Sequence, residues 1–155
     1  MDIRHADLLD ASKISLFVSE LASRHIGPTL GLGGTDKLLA SMDRESTITR
    51  MTDGYPHWVA LDGDALVGVA VVKPPSHIYH LFVRSDQQRN GIGRLLLNEA
   101  LRFISEDPNA GTITVNSSLN AVGAYRRFGF EDSAEAVDDG GVRYVPMAKT
   151  ISAKD

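Results

Sequence analysis

The stretch Ile78 to Leu101, IYHLFVRSDQQRNGIGRLLLNEAL, decides how the rest of the chain is read. It opens as a strand, with Ile78, Tyr79, Leu81, Phe82 and Val83 among six residues. A polar run from Arg84 to Asn90 breaks the strand, and a helix starts behind Gly91-Ile92-Gly93-Arg94. The first four N–H groups of a helix have no partner within it, and the helix dipole adds roughly half a positive charge at that end. Glycines in the turn let a diphosphate approach the backbone closely. The stretch therefore reads as a phosphate cradle.

Working outward, the 155 residues carry 43% hydrophobic and 23% charged side chains, ordinary for one globular domain. A formal net charge of −4 argues against a nucleic-acid backbone as a general partner. The absence of cysteine excludes disulfides, thiolate metal sites and a Cys nucleophile, and suits a cytoplasmic location. No apolar run approaches about 20 residues, so no membrane span is expected. The start, MDIRHADLLDASK, has three acids and no apolar core, so it does not read as a signal peptide.

Upstream, Asp2 to His5 reads as a first strand. A helix follows to about Ser23, capped by Asp10 or Ser12, with Ile14, Phe17, Val18 and Leu21 on one face. His25 to Gly34 holds four glycines and a proline and reads as a loop. Thr35 caps a second helix, Asp36 to about Met42, and a further helical turn or two covers Glu45 to Met51. Trp58 to Leu61 and Ala65 to Val72 form a hairpin. In the central helix, Ile92, Leu95, Leu96, Leu101, Phe103 and Ile104 are expected mainly on the sheet side. Thr112 to Val115 is a β-branched strand, Leu119 to Phe128 a helix ended by Gly129, and Phe130 to Met147 a closing hairpin. Pro146, which cannot donate to a ladder, predicts a bulge or an edge. The element order is β-α-α-β-β-β-α-β-α-β-β, an α/β arrangement in which helices cover a mixed sheet.

Three segments together resemble the GNAT superfamily, the GCN5-related N-acetyltransferases. Gln88-Arg89-Asn90-Gly91-Ile92-Gly93 fits that family's Q/R-x-x-G-x-G/A signature behind a strand ending at Val83. Asn116 to Phe130 resembles its strand-to-helix element closing in Tyr-x-x-x-Gly-Phe, here Tyr125 to Phe130. Val142 to Met147 is similar to its last strand. The resemblance implies a mixed, mostly antiparallel sheet of about six or seven strands flanked by about four helices. It also implies a splay between the two central parallel strands, in a single domain over residues 1–155.

The implied function is N-acetyl transfer from acetyl-CoA, without a metal, to a small-molecule amine or a protein amino group. The turn offers Gln88, Arg89, Asn90, Gly91, Ile92, Gly93 and Arg94 to the diphosphate, the two arginines by charge-assisted contacts. Main-chain groups of Leu81, Phe82 and Val83 would pair with the pantetheine amides, and one N–H could polarise the thioester carbonyl. Family members place an asparagine seven residues before the tyrosine. Ser118 stands there in this chain, flanked by Asn116 and Asn120, and any of the three can take that role. Tyr125 occupies the general-acid position. An alkyl ammonium has a pKa near 10 and must lose a proton, for which His80 and His77 are candidates. Being three apart on one strand, they are expected on opposite faces, which disfavours a shared metal.

Acceptor contacts are expected from the segment His25 to Gly54 and from the hairpin near Tyr55 and Trp58. Glu20, Asp36, Asp43 and Glu45 read as a solvated helix face rather than as a cation trap. An apolar edge strand would favour a homodimer. Two further readings stay open: a silent CoA-binding regulatory module, and a transferase of longer acyl groups, for which Gly123 and Ala124 leave room.

Overall fold

The computed structural model describes residues 1–88 and 90–151. Eight strands form one sheet: β1 Asp2–His5, β2 His57–Asp62, β3 Ala65–Lys73, β4 His77–Val83, β5 Thr112–Ser118, β6 Glu131–Asp132, β7 Val137–Asp139 and β8 Val142–Thr150. Their order is β1-β2-β3-β4-β5-β8-β6, with β7 also on β8. The β4–β5 pair is parallel and the other pairs are antiparallel. The α-helices are α1 Ala11–Leu21, α2 Gly34–Ala40, α3 Arg44–Thr52, α4 Ile92–Ser105 and α5 Val122–Arg127. This is the expected mixed α/β sheet with one parallel central pair. The element counts run slightly higher, because the closing segment splits into short strands and the turn at Glu45–Met51 is a full helix. Asp43 caps that helix, accepting the Ser46 N–H at 2.7 Å. Among the described residues no helix is long and apolar enough to cross a membrane.

β3 is rich in valine because both of its faces are covered. Val67, Ala70 and Val72 enter one core with Ile92, Leu96, Leu97, Ala100 and Ile104 of α4 and with Tyr125 and Phe130. Val69 and Val71 enter a second core with Ile14, Val18, Ala22 and Met42. The buried positions of α4 are Ile92, Leu96, Leu97, Ala100 and Ile104, three or four apart along one face with Leu97 beside it, while Leu95, expected inward, is 45% exposed. A Cβ on Gly68 would lie 2.7 Å from Leu96 Cδ1, so this glycine lets α4 seat closely on β3.

The region expected as a loop is more ordered. α1 runs on through a π-helical turn, Ala22–Ile26, and a 3-10 turn, Gly27–Thr29, with Pro28 in its first turn. α2 then starts behind Gly33 in the left-handed region rather than behind Thr35. At the other end, Pro146 sits in an interior strand whose register with β5 is unbroken. On its outer side β6 pairs at Met147 and Ala148 and β7 at Val142 to Tyr144, leaving a break between them. The Ser133 N–H donates to the Pro146 carbonyl at 2.8 Å there. A strand residue turns its N and its C=O the same way, so the missing N–H of Pro146 faces that break and costs no ladder bond.

Candidate active site

β4 and β5 pair only at His77 with Thr114 and Ile78 with Val115. β4 then continues with β3 to Val83, while β5 continues with β8 to Ser118. The two strands part, and a cleft of about 390 Å³ opens between them. It is bounded by β4, β5 and the start of α5, by the ends of α1 and α2, and by Val142 to Tyr144 of β8. Along Tyr79 to Val83 the β5 side of β4 is a free strand edge, able to pair with an extended chain of amides. Gln88 Nε2 donates to the Val83 carbonyl at 3.2 Å and closes one end of that edge.

The turn behind β4 has the conformation that its glycines suggest. Gly91 is the N-cap of α4 at φ 82°, a region that suits glycine. Its carbonyl accepts the first helical bond, from the Leu95 N–H at 3.0 Å, so the N–H groups of Ile92, Gly93 and Arg94 have no acceptor within the helix. Ile92 sends its side chain into the core, leaving only its backbone at the turn. A Cβ on Gly93 would meet Val83 and Phe128 at ordinary contact distances, so packing does not demand glycine there. The Arg94 guanidinium lies 5.1 Å from the Phe128 ring centroid, a cation–π contact. Asn90 donates from Nδ2 to Gln87 Oε1 at 3.2 Å. Arg89 lies outside the described residues.

Leu81, Phe82, Val83, Gln88, Asn116, Ser118, Asn120 and Tyr125 all line the cleft. The Tyr125 ring stands edge-on to Phe128 and Phe130, at 6.5 and 5.5 Å between centroids. Burial raises its phenol pKa, so the hydroxyl keeps its proton throughout the neutral range.

The two histidines of β4 correct one expectation. Val71 opposes His80 and Val72 opposes Ile78, so Tyr79 is an extra residue in a β-bulge. The bulge resets the alternation, and His80 opposite Val71 and His77 opposite Lys73 lie on the same face, that of the second core. Spacing alone assigns them to opposite faces because it assumes an unbroken pleat. His77 Nδ1 is 2.7 Å from Thr114 Oγ1, and burial lowers its pKa. His80 is buried between Tyr79 and Phe82, at ring centroid distances of 4.6 and 5.4 Å. Burial, with the nearby charges of Arg50 and His57, pushes its pKa down to about 3, and its Nε2 has no hydrogen-bond partner. No cluster of three or more His, Cys, Asp or Glu side chains suited to a metal occurs among the described residues.

On the acceptor side, His25 lines the cleft, and its Nε2 lies 2.6 Å from Ser85 Oγ, tying the end of α1 to the segment after β4. Trp58 does not line it. Trp58 is 2% exposed and points into the first core, against Phe103 and His5 at 6.0 and 5.2 Å. Its neighbour His57, opposite Val71, faces the cleft's side of the sheet instead. Tyr79, Ser41, Met42, Arg143 and Tyr144 line the cleft without having been singled out. A hint existed for the last two, which belong to the Val142–Met147 segment. Tyr79 reaches the cleft's face through the bulge.

Three comparisons with known proteins bear on this cleft. A family model described as Acetyltransferase (GNAT) domain matches residues 28–151. A protein named peptidyl-lysine N-acetyltransferase YjaB, from Salmonella typhimurium, is 34% identical over 109 residues, covering 69% of this chain and 72% of that protein. Among solved structures, a GCN5-related N-acetyltransferase from Rhodopseudomonas palustris superposes with a TM-score of 0.81 at 19% identity, over 97% of this chain and 95% of that one. A PaiA N-acetyltransferase from Thermoplasma acidophilum, in complex with coenzyme A, gives 0.77 at 14% identity, over 97% and 98% of the two chains.

Proposed function

The chain belongs to the GNAT acetyltransferase family, and from that membership we propose that it moves an acetyl group from acetyl-CoA to a primary amine by direct attack, with Tyr125 as general acid. The observation that carries the reading is the parting of β4 from β5 after Ile78, with the glycine turn behind β4 and the buried Tyr125 on the cleft wall. Acetyl-CoA supplies the thioester-activated acyl group. The N–H groups of Ile92, Gly93 and Arg94 would bind the diphosphate, and the free edge of β4 at Leu81 to Val83 would hold the amides of the pantetheine arm. Asn116, Ser118 and Asn120 stand across the cleft as side-chain partners for the same arm. Asn90 completes the turn.

The chemical roles follow from the local environments. Tyr125 retains its proton at neutral pH and can hand it to the departing thiolate sulfur. His80 stays neutral at the same pH, and so low a pKa makes it a weak proton acceptor. We assign His80 to the acceptor side of the cleft as a neutral ring, with water or His77 taking the amine's proton. Residues 1–155 would act as one acetyltransferase domain. The name of the 34%-identical relative points to protein lysines as acceptors, and small amines are the other class.

The test is release of free CoA thiol from purified protein, acetyl-CoA and an amine panel, with CoA binding measured by calorimetry in parallel. Amine-dependent thiol release is expected. Tight CoA binding with no thiol release from any amine would replace this reading with that of a silent CoA-binding module.

A further inference from the structure

We propose that a glycine clasp between the loop before α2 and the β7–β8 turn closes the acceptor end of the cleft and selects a small primary amine without a second positive charge. The inference rests on the reading of the cleft as an acetyl-transfer site.

The clasp is a backbone-to-backbone contact. The Gly31 N–H donates to the Gly141 carbonyl at 2.8 Å. A Cβ on Gly34 would lie 2.2 Å from Gly141 O, and one on Gly141 would lie 2.5 Å from Leu32 O. Those distances exclude any side chain, so only glycine at both positions permits the approach. Gly141 also sits at φ 93°. Lys37 ties the two loops together, and Asp138 braces the β7–β8 turn from within. Lys37 Nζ bonds the Asp139 carboxylate at 2.9 Å and its carbonyl at 3.1 Å. Asp138 accepts from the Gly141 N–H at 2.8 Å and from Arg143 Nε at 3.1 Å. The Arg143 guanidinium in turn lies against Gly31.

Both loops lead directly into cleft walls, α2 through Leu38 and Ser41, and β8 through Val142 to Tyr144. Joining them bridges the acceptor side, where an open groove would be needed to lay an extended peptide across the site. Charge points the same way. Among the described residues, no Asp or Glu lines the cleft, and Arg143 is its one Lys or Arg side chain. Glu20 pairs with Arg24 on the surface, Asp43 caps α3, and Asp36 and Glu45 are exposed. A polyamine would find no counter-charge there, whereas an acceptor with one amine and an apolar or anionic body meets no repulsion beyond that amine.

The experiment compares three acceptors by thiol release from the full chain: phenethylamine, spermine and an N-terminally blocked heptapeptide with one internal lysine. The wild type should favour phenethylamine in kcat/KM by about tenfold or more, a margin that pocket fit alone can supply. Gly34→Ala should narrow the gap for the peptide by opening the bridge. Lys37→Ala with Asp139→Ala, which leaves the backbone contact unstrained, should shift it less in the same direction. A wild type that uses the peptide or spermine as well as phenethylamine would overturn the proposal while leaving acetyl transfer intact. Amide hydrogen exchange gives a readout independent of turnover. Gly31 should be protected in the wild type and lose that protection in Gly34→Ala, while Gly141, whose N–H is held by Asp138 within its own turn, should change less. Free exchange at Gly31 in the wild type overturns the clasp even if no acceptor releases thiol, an outcome that by itself would count against the transfer reading.

Discussion

The two halves of the cleft are built in different ways. On the α4 and α5 side, each element that meets the proposed cofactor path is formed within one short stretch: strand, turn and helix from Ile78 onward, and strand, turn and helix from Thr112 to Phe130. On the α1 to α3 side, the walls come from segments far apart in the chain. Leu21, Ser41, the bulged β4 and Val142 to Tyr144 meet only in the folded protein. The first half is a local construction repeated in two stretches of sequence. The second is a set of long-range contacts, and it is where the family resemblance carries least information about the acceptor.

Substitutions can test this division. The largest effect is expected at Tyr125→Phe, which removes the proton and keeps the ring between Phe128 and Phe130. General-acid assistance contributes about 10²–10⁴ in rate, so kcat should fall on that scale with CoA affinity nearly unchanged. Steady-state kinetics beside calorimetry decides it, and an unaltered kcat removes Tyr125 from the mechanism.

Trp58→Ala sharpens the contrast from the other direction. As a buried aromatic of the first core it should lower stability by about 3–5 kcal/mol, read by urea unfolding. The ranking of acceptors should stay as it was, because Trp58 does not reach the cleft. A changed ranking would mean that the two halves are coupled through β2.

Gly91→Ala forces a Cβ onto a left-handed backbone, a strain of about 1–2 kcal/mol. The KM for acetyl-CoA should rise while that for the amine stays within error. A rise confined to the amine would contradict the assignment of the glycine turn to the cofactor half.

The smallest effect concerns pH. The pKa of His80 is about 3 in the folded chain against an ordinary 6.5. Between those values the unfolded chain takes up a proton that the folded chain does not. The resulting stability is therefore complete above pH 6.5 and is lost as pH falls, by about 1.4 kcal/mol per unit. Denaturant midpoints from pH 7 to pH 5 should fall more steeply for the wild type than for His80→Gln, with a residual slope from His57 and His77, whose values burial also lowers. Equal slopes would show that His80 is hydrated rather than buried.

The sequence by itself determined the α/β class and the order of the elements. Each of these rests on short-range physics: β-branched and aromatic runs, a glycine that alone tolerates a left-handed turn, and a four-residue apolar repeat. Gly91 was legible for that reason, whereas Tyr125 and the cluster Asn116, Ser118 and Asn120 were read from the family resemblance. Tertiary structure alone decided three other things. The bulge at Tyr79 put His77 and His80 on one face, because pairing register is set between strands and not along one. The pleat of β2 sent Trp58 into the core and His57 toward the cleft, a choice that depends on which face α4 covers. The contact of Gly34 with Gly141 joined residues more than a hundred positions apart, and no local pattern of glycines specifies which other glycine it will touch.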